Sequence, residues 1–225
     1  MWVMPKIWDG GECWIIGGGP SIVKQFEIPS QLVNKVRTGG KDFSVYSPYM
    51  AKLHDRHIIG VNMAYKLGNW VDIMYFGDAS FFDRIKREIH KFPGLVVTAR
   101  MKSQSKLPGI KMMRRKDKSK TYGITTEPGS IRWNTNSGGA AINLAYHTGV
   151  KRIYLLGFDM DNAEDGQRHW HNEYGKKSKP APYKTHSKCF PKIAEDAEKI
   201  GLEIINVNPD SKITCFPKKS LSEVL

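Results

Sequence analysis

The stretch Cys13-Trp14-Ile15-Ile16-Gly17-Gly18-Gly19-Pro20-Ser21 constrains the fold more than any other part of this 225-residue chain. Its apolar residues read as a short buried strand. Three glycines then make a turn, and Pro20 suits the first turn of a helix, where its missing N–H costs little. A strand running through a tight turn into a helix is the opening unit of an open α/β sheet, whose ligands sit at strand carboxyl ends. Glycines lack the Cβ that keeps a ligand off the backbone, and exposed amides at a helix start favour an anion. Two readings stay open: a plain strand–helix turn, or a phosphate site built on Gly17, Gly18, Gly19 and Ser21. Pro20-Ser21-Ile22 stands where a Walker loop needs Gly-Lys-Ser/Thr, and Ile22 takes the place of the third small residue of the dinucleotide fingerprint.

The rest of the chain repeats the plan. Short apolar runs at residues 57–62, 71–78, 94–99, 151–159 and 202–207 read as buried strands, and helical spacing follows at 80–90, 140–148 and 187–200. The expected fold is α/β and Rossmann-like: a doubly wound, mostly parallel sheet with helices on both faces and a basic insertion. No linker or repeat divides residues 1–225, so one domain is expected. Strand carboxyl ends supply crevice candidates: Asn62 after the second strand, Gly77 and Asp78 after the third. The amide of Asn62 can read a base or sugar, or it can merely form a turn. Ser137 and Gly138 precede a helix of small residues at 140–148, capped by Asn or Ser.

A formal net charge of +13 favours a polyanionic partner. The charge concentrates at residues 100–121, where Arg100, Lys102, Lys111, Arg114, Arg115 and Lys116 stand with one acid, Asp117. This reads as an exposed insertion, either a solvated loop or a clamp on a nucleic-acid backbone. No apolar run reaches the length of a membrane span, and no secretory signal opens the chain. Three widely separated cysteines make no CxxC pair, so a reducing cytoplasm is the expected compartment.

Asp159-Met160-Asp161 spells an Asp-x-Asp pattern that can hold Mg²⁺ or Mn²⁺ on a diphosphate, or can simply cap a loop. His169 and His171 stand two apart and could join such a site. His186 precedes a helix, where an imidazole tends to be neutral and available as a general base. No Gly-x-Ser-x-Gly elbow is present, so direct transfer from an activated donor is expected over covalent catalysis.

The order of blocks, Gly17-Gly18-Gly19-Pro20-Ser21, Gly60-Val61-Asn62, Gly77-Asp78, Ser137-Gly138 and Ile153 through Asp159, resembles the bacterial sialyltransferases of glycosyltransferase family 42. It equally resembles the related DUF115 group, which includes motility-associated factor glycosyltransferases, archaeal MptE-type diphosphokinases and small basic bacteriophage versions. The likeness runs from about Cys13 to Ser211. It implies that Gly18, Gly19 and Ser21 line the nucleotide phosphates, that Asn62 contacts the donor, and that Ser137 and Gly138 hold the nucleoside. Asp159 would lie by the ribose or metal, and His186 in Tyr183-Lys184-Thr185-His186-Ser187-Lys188 would be the base. A lid-like loop is expected at about 160–185, with His169, His171, Tyr174 and Tyr183. The chain has Gly18 where the sialyltransferases carry Asn, and no clear match to their lid tyrosine pair.

The expected function is therefore a nucleotide-dependent transferase moving a sugar from a nucleotide-sugar donor to an acceptor hydroxyl, with hydroxymethylated DNA as the candidate acceptor and modified DNA as the product. A phage-encoded version would work in the host cytoplasm. Two alternatives stay open: a diphosphokinase using ATP and Mg²⁺, and a nucleic-acid-binding protein without chemistry.

Overall fold

A computed structural model describes residues 1–99, 108–116, 122–174 and 180–225. Arg100 and Lys102 of the basic segment lie outside the described residues.

The strands are β1 (Glu12–Ile16), β2 (Ile58–Val61), β3 (Ile73–Phe76), β4 (Leu95–Thr98), β5 (Ile110–Met112), β6 (Arg114–Lys116), β7 (Ser130–Arg132), β8 (Arg152–Leu156) and β9 (Glu203–Asn206). Seven of them form one sheet in the order β5-β4-β3-β2-β1-β8-β9. Every pairing in it is parallel. The chain builds outward from β1 to β5 on one side, then returns to place β8 and β9 on the other. The order thus reverses between β1 and β8, whose carboxyl ends frame the crevice where open α/β sheets take ligands.

Side chains of β1 alternate between two cores, as the two-residue period of a strand requires. Cys13 and Ile15 join the layer holding α4 (Ser137–His147) and α6 (Phe190–Lys199). Trp14 and Ile16 join the layer holding α1 (Ser21–Gln25), α2 (Ser30–Arg37) and α3 (Ala79–Ile85). Helices therefore cover both faces, which is why the strands read as unbroken apolar runs rather than alternating ones. A short α5 (Tyr183–His186) leads through a 3₁₀ turn into α6. Among the described residues no helix is long and apolar enough to cross a membrane.

The expected basic insertion resolves differently. Residues 110–112 are the edge strand of the main sheet, and 114–116 pair with β7 in a separate two-stranded parallel ribbon. Three-residue strands carrying charges give no periodic signal to read.

Candidate functional site

The glycine turn lies at the reversal of strand order, and the amides of Gly17, Gly19 and Ser21 bond within the protein. Gly17 N–H donates to the Leu156 carbonyl at 2.8 Å and Gly19 N–H to the Gly157 carbonyl at 2.8 Å. Ser21 N–H donates to Asp159 Oδ2 at 2.8 Å, and its hydroxyl to Oδ1 at 2.6 Å. The glycines make room for the neighbouring chain: a Cβ on Gly19 would stand 2.4 Å from Asp159 Oδ2, and one on Gly17 2.8 Å from the Gly157 carbonyl. Of the amides expected to cradle a phosphate, those of Gly17, Gly19 and Ser21 therefore already have partners within the protein. The turn is closed by the loop after β8, where Gly157 (φ 67°) bends the chain back onto it.

Asp159 is buried and fully engaged. Asn208 Nδ2 donates to its Oδ1 at 2.8 Å, beside the two bonds from Ser21. Burial raises its pKa above the ordinary value, and the bonds from Ser21 and Asn208 oppose that. Asp161 is exposed and faces Lys212 Nζ at 3.7 Å. Among the described residues no group of three or more His, Cys, Asp or Glu could hold a metal. Of the Asp159–Asp161 pair, one carboxylate is thus bonded to Ser21 and Asn208 and the other faces a lysine.

The expected lid residues divide. Trp170 is fully buried, its indole N–H donates to the Gly17 carbonyl at 2.9 Å, and its backbone N–H reaches the Gly18 carbonyl at 3.3 Å. The rings of His169 and His171 stack 5.1 Å apart, with Tyr174 edge-on to both. His169 Nδ1 lies 3.2 Å from the Gly18 carbonyl, so these side chains wall the turn. Tyr183 stands apart and donates to Asn162 Oδ1 at 2.9 Å.

The remaining strand-end and helix-start candidates lie at the carboxyl ends of β2 and β3 and at the amino end of α4, which packs across β1, β2 and β3. Asn62 holds φ at 54° directly after β2, and its Oδ1 is buried with no hydrogen-bond partner among the described residues. Ser137, the first residue of α4, is 7% exposed, and its buried Oγ likewise has no partner among the described residues. Asn136 caps the helix by accepting from Gly139 N–H at 2.7 Å. The N–H groups of Ser137 and Gly138 take part in no hydrogen bond among the described residues. Gly138 is backed by Phe158, whose ring would meet a Cβ there at 2.7 Å.

His186 joins this site from α5. Asn136 Nδ2 donates to its carbonyl at 3.0 Å and so ties it to the cap of α4. Burial lowers the imidazole pKa below its ordinary value, against a smaller opposing pull from the Asp78 carboxylate. Asp78 is exposed at the start of α3. Gly77 is covered: a Cβ there would stand 1.9 Å from the Trp133 ring. Trp133 has no role in the sequence reading, and the backbone that delivers it is distinctive, since Asn134 and Thr135 both hold φ at 57°. A β-branched residue in that region is strained. Asn134 is held there by bonds to Gly123 and Gly139.

A cleft of about 1250 Å³ opens on the other side of the turn, between α1, α2 and the loops after β8 and β9. It meets the crevice at Pro20, Ser21 and Asp159.

Comparison with solved structures aligns the chain with the sialyltransferase CstII from Campylobacter jejuni, determined in complex with a substrate analogue, cytidine-5'-monophosphate. The two are 14% identical, with 94% of this chain and 86% of that chain covered and a TM-score of 0.49. No protein-family model and no curated protein matches the chain.

Proposed function

We propose that the chain is a nucleotide-dependent transferase that binds a nucleotide-sugar donor in the crevice and passes the sugar to an acceptor hydroxyl. The observation that carries this reading is the pair of orphaned polar atoms, Asn62 Oδ1 and Ser137 Oγ, at the ligand edge of a doubly wound sheet. A buried acceptor or hydroxyl without a partner costs roughly 1–3 kcal/mol, a cost that a polar group of the ligand would remove.

In this mechanism the anionic part of the donor lies at the amino end of α4, not in the glycine turn. The free N–H groups of Ser137 and Gly138, the Ser137 hydroxyl and the helix dipole all favour negative charge there. Asn62 would read the nucleoside or sugar by its amide. His186, kept neutral by burial, would accept the proton of the acceptor hydroxyl. That oxygen forms its bond to the anomeric carbon as the bond from that carbon to the phosphate oxygen breaks. The electron pair leaves on the phosphate, whose growing charge the α4 terminus stabilises.

The test is a melting-temperature series with nucleoside monophosphates and nucleotide sugars, each with and without Mg²⁺, on the intact chain and on Asn62→Gly and Ser137→Ala. A cognate nucleotide at a hundred times its Kd adds about 2.7 kcal/mol to apparent stability. Each variant should reduce that gain while leaving the free protein as stable or more stable, because an orphan is removed and, at residue 62, a positive φ becomes unstrained. No gain with any nucleotide, or free variants that are clearly less stable, would overturn the reading.

A further inference from the structure

We propose that the sugar passed from donor to acceptor is an uncharged one, selected against sugars that carry a carboxylate by Asp78 at the carboxyl end of β3. The inference rests on the reading of the crevice as the donor site and names the class of sugar that site takes.

The pairing of β2 with β3 brings Asp78 to the crevice. Val61 stands beside Tyr75, so the chain leaves β2 at Asn62 next to the end of β3, and Asp78 lies two residues beyond Phe76. Asp78 occupies the cap position of α3, but its side chain makes no cap bond. An aspartate there ordinarily accepts an N–H of the first helical turn. Among the described residues the exposed carboxylate has no ion pair and no side-chain hydrogen bond. Arg115 on this bank is stacked on Trp133 instead, its guanidinium carbon 4.1 Å from the ring centre.

Three groups around the crevice feel the charge of Asp78. Burial is the largest cause of the pKa shift at Tyr75, Tyr174 and His186 alike. Asp78 adds to that shift in the two tyrosines and opposes it in the histidine. The carboxylate therefore acts on both banks.

The transferred sugar lies among these groups. Its anomeric carbon must stand within reach of the phosphate at the amino end of α4 and of the acceptor oxygen that His186 deprotonates. Asn136 joins those two elements, accepting from Gly139 N–H at 2.7 Å and donating to the His186 carbonyl at 3.0 Å. Trp133, three residues before Asn136, brings the same bank against Gly77, the neighbour of Asp78. An unpaired carboxylate so placed accepts charge-assisted hydrogen bonds from sugar hydroxyls and repels a second carboxylate. Such a repulsive element discriminates between ligands that are otherwise alike. Charge of the other sign is present too, since exposed Lys184 and Lys188 flank His186. Their pull on an anionic sugar is the same in the intact chain and in Asp78→Asn, so that variant isolates the carboxylate.

The experiment measures dissociation constants by isothermal titration calorimetry for matched nucleoside diphosphate sugars, glucose and glucuronic acid, which differ only in a hydroxymethyl or a carboxylate at C6. Each pair is taken on uridine, cytidine, adenosine and guanosine, with the nucleoside monophosphates as a separate arm. The proteins are the intact chain and Asp78→Asn, whose folding is checked by circular dichroism. The expected result is a glucose donor bound at least about 10-fold tighter than its glucuronate twin, a ratio that falls below about 3-fold in the variant, and equal binding of the monophosphate by both proteins. An equal or inverted ratio in the intact chain, an unchanged ratio in the variant, or monophosphate binding with neither sugar of any pair would each overturn the proposal. Loss of monophosphate binding in the variant would overturn it too, because the carboxylate would then hold the site together rather than choose its sugar. Absence of binding by every nucleotide, monophosphates included, sinks the transferase reading itself.

Discussion

Gly18 and Gly19 are neighbours with opposite tolerances. A methyl group on Gly19 would overlap the Asp159 carboxylate at 2.4 Å and the Gly157 carbonyl at 2.6 Å, and neither can yield without breaking the link between β1 and β8. On Gly18 it would meet only the His169 ring, at 3.1 Å, which a small side-chain shift relieves. Gly19→Ala should therefore cost about 3 kcal/mol and Gly18→Ala no more than about 1 kcal/mol in urea denaturation. Equal costs would show that the turn is not closed by the β8 loop. The triplet was legible in the sequence as a strand–helix junction because apolar run, glycines and proline are local signals. Its purpose was not, because Gly157 and Asp159 lie some 140 positions away and only the fold brings them to the turn. Asn62 and Ser137 could be named as crevice residues from their places at a strand end and a helix start. That their polar atoms are orphaned is a property of packing alone.

Among the elements, the long buried strands were readable and the short charged ones were not. β1, β2, β3, β4, β8 and β9 are apolar runs bounded by turns, and each stands where its pattern places it. β5, β6 and β7 have three residues each, several of them charged, and hold their shape through pairing with distant partners. One link of the ribbon to the sheet, besides Met113 between β5 and β6, is the contact of Trp133 with Gly77. A Cβ at residue 77 would stand 1.9 Å from one ring carbon and 2.6 Å from another, so Gly77→Ala must expel the indole. The expected outcome is a loss of about 2 kcal/mol and a change in Trp fluorescence as the ring leaves its seat. Unaltered fluorescence at full stability would mean that ribbon and sheet are not joined there.

At the scale of the whole molecule, the crevice couples folding to proton binding in opposite senses at its two ends. Burial raises the pKa of Asp159 above its ordinary 3.8, so just above that value the folded chain holds more protons than the unfolded one. That contribution makes stability fall as pH rises through the acid window, until Asp159 ionises in the folded state too. Burial lowers the pKa of His186 below its ordinary 6.5, so between its folded value and 6.5 the unfolded chain holds more protons. Stability there rises with pH, and the full penalty is present below the folded pKa. His186→Ala should therefore reduce the dependence of unfolding free energy on pH just below pH 6.5, with the part due to His147 remaining, while leaving the more acidic limb in place. In the transferase reading the same substitution should cut turnover by roughly 10²–10⁴-fold, and the acid limb of the intact enzyme's rate should fall at a pKa below 6.5. A structural histidine would show the first effect without the second. Both together mean that the burial which weakens the fold in acid is what keeps the base unprotonated when an acceptor arrives.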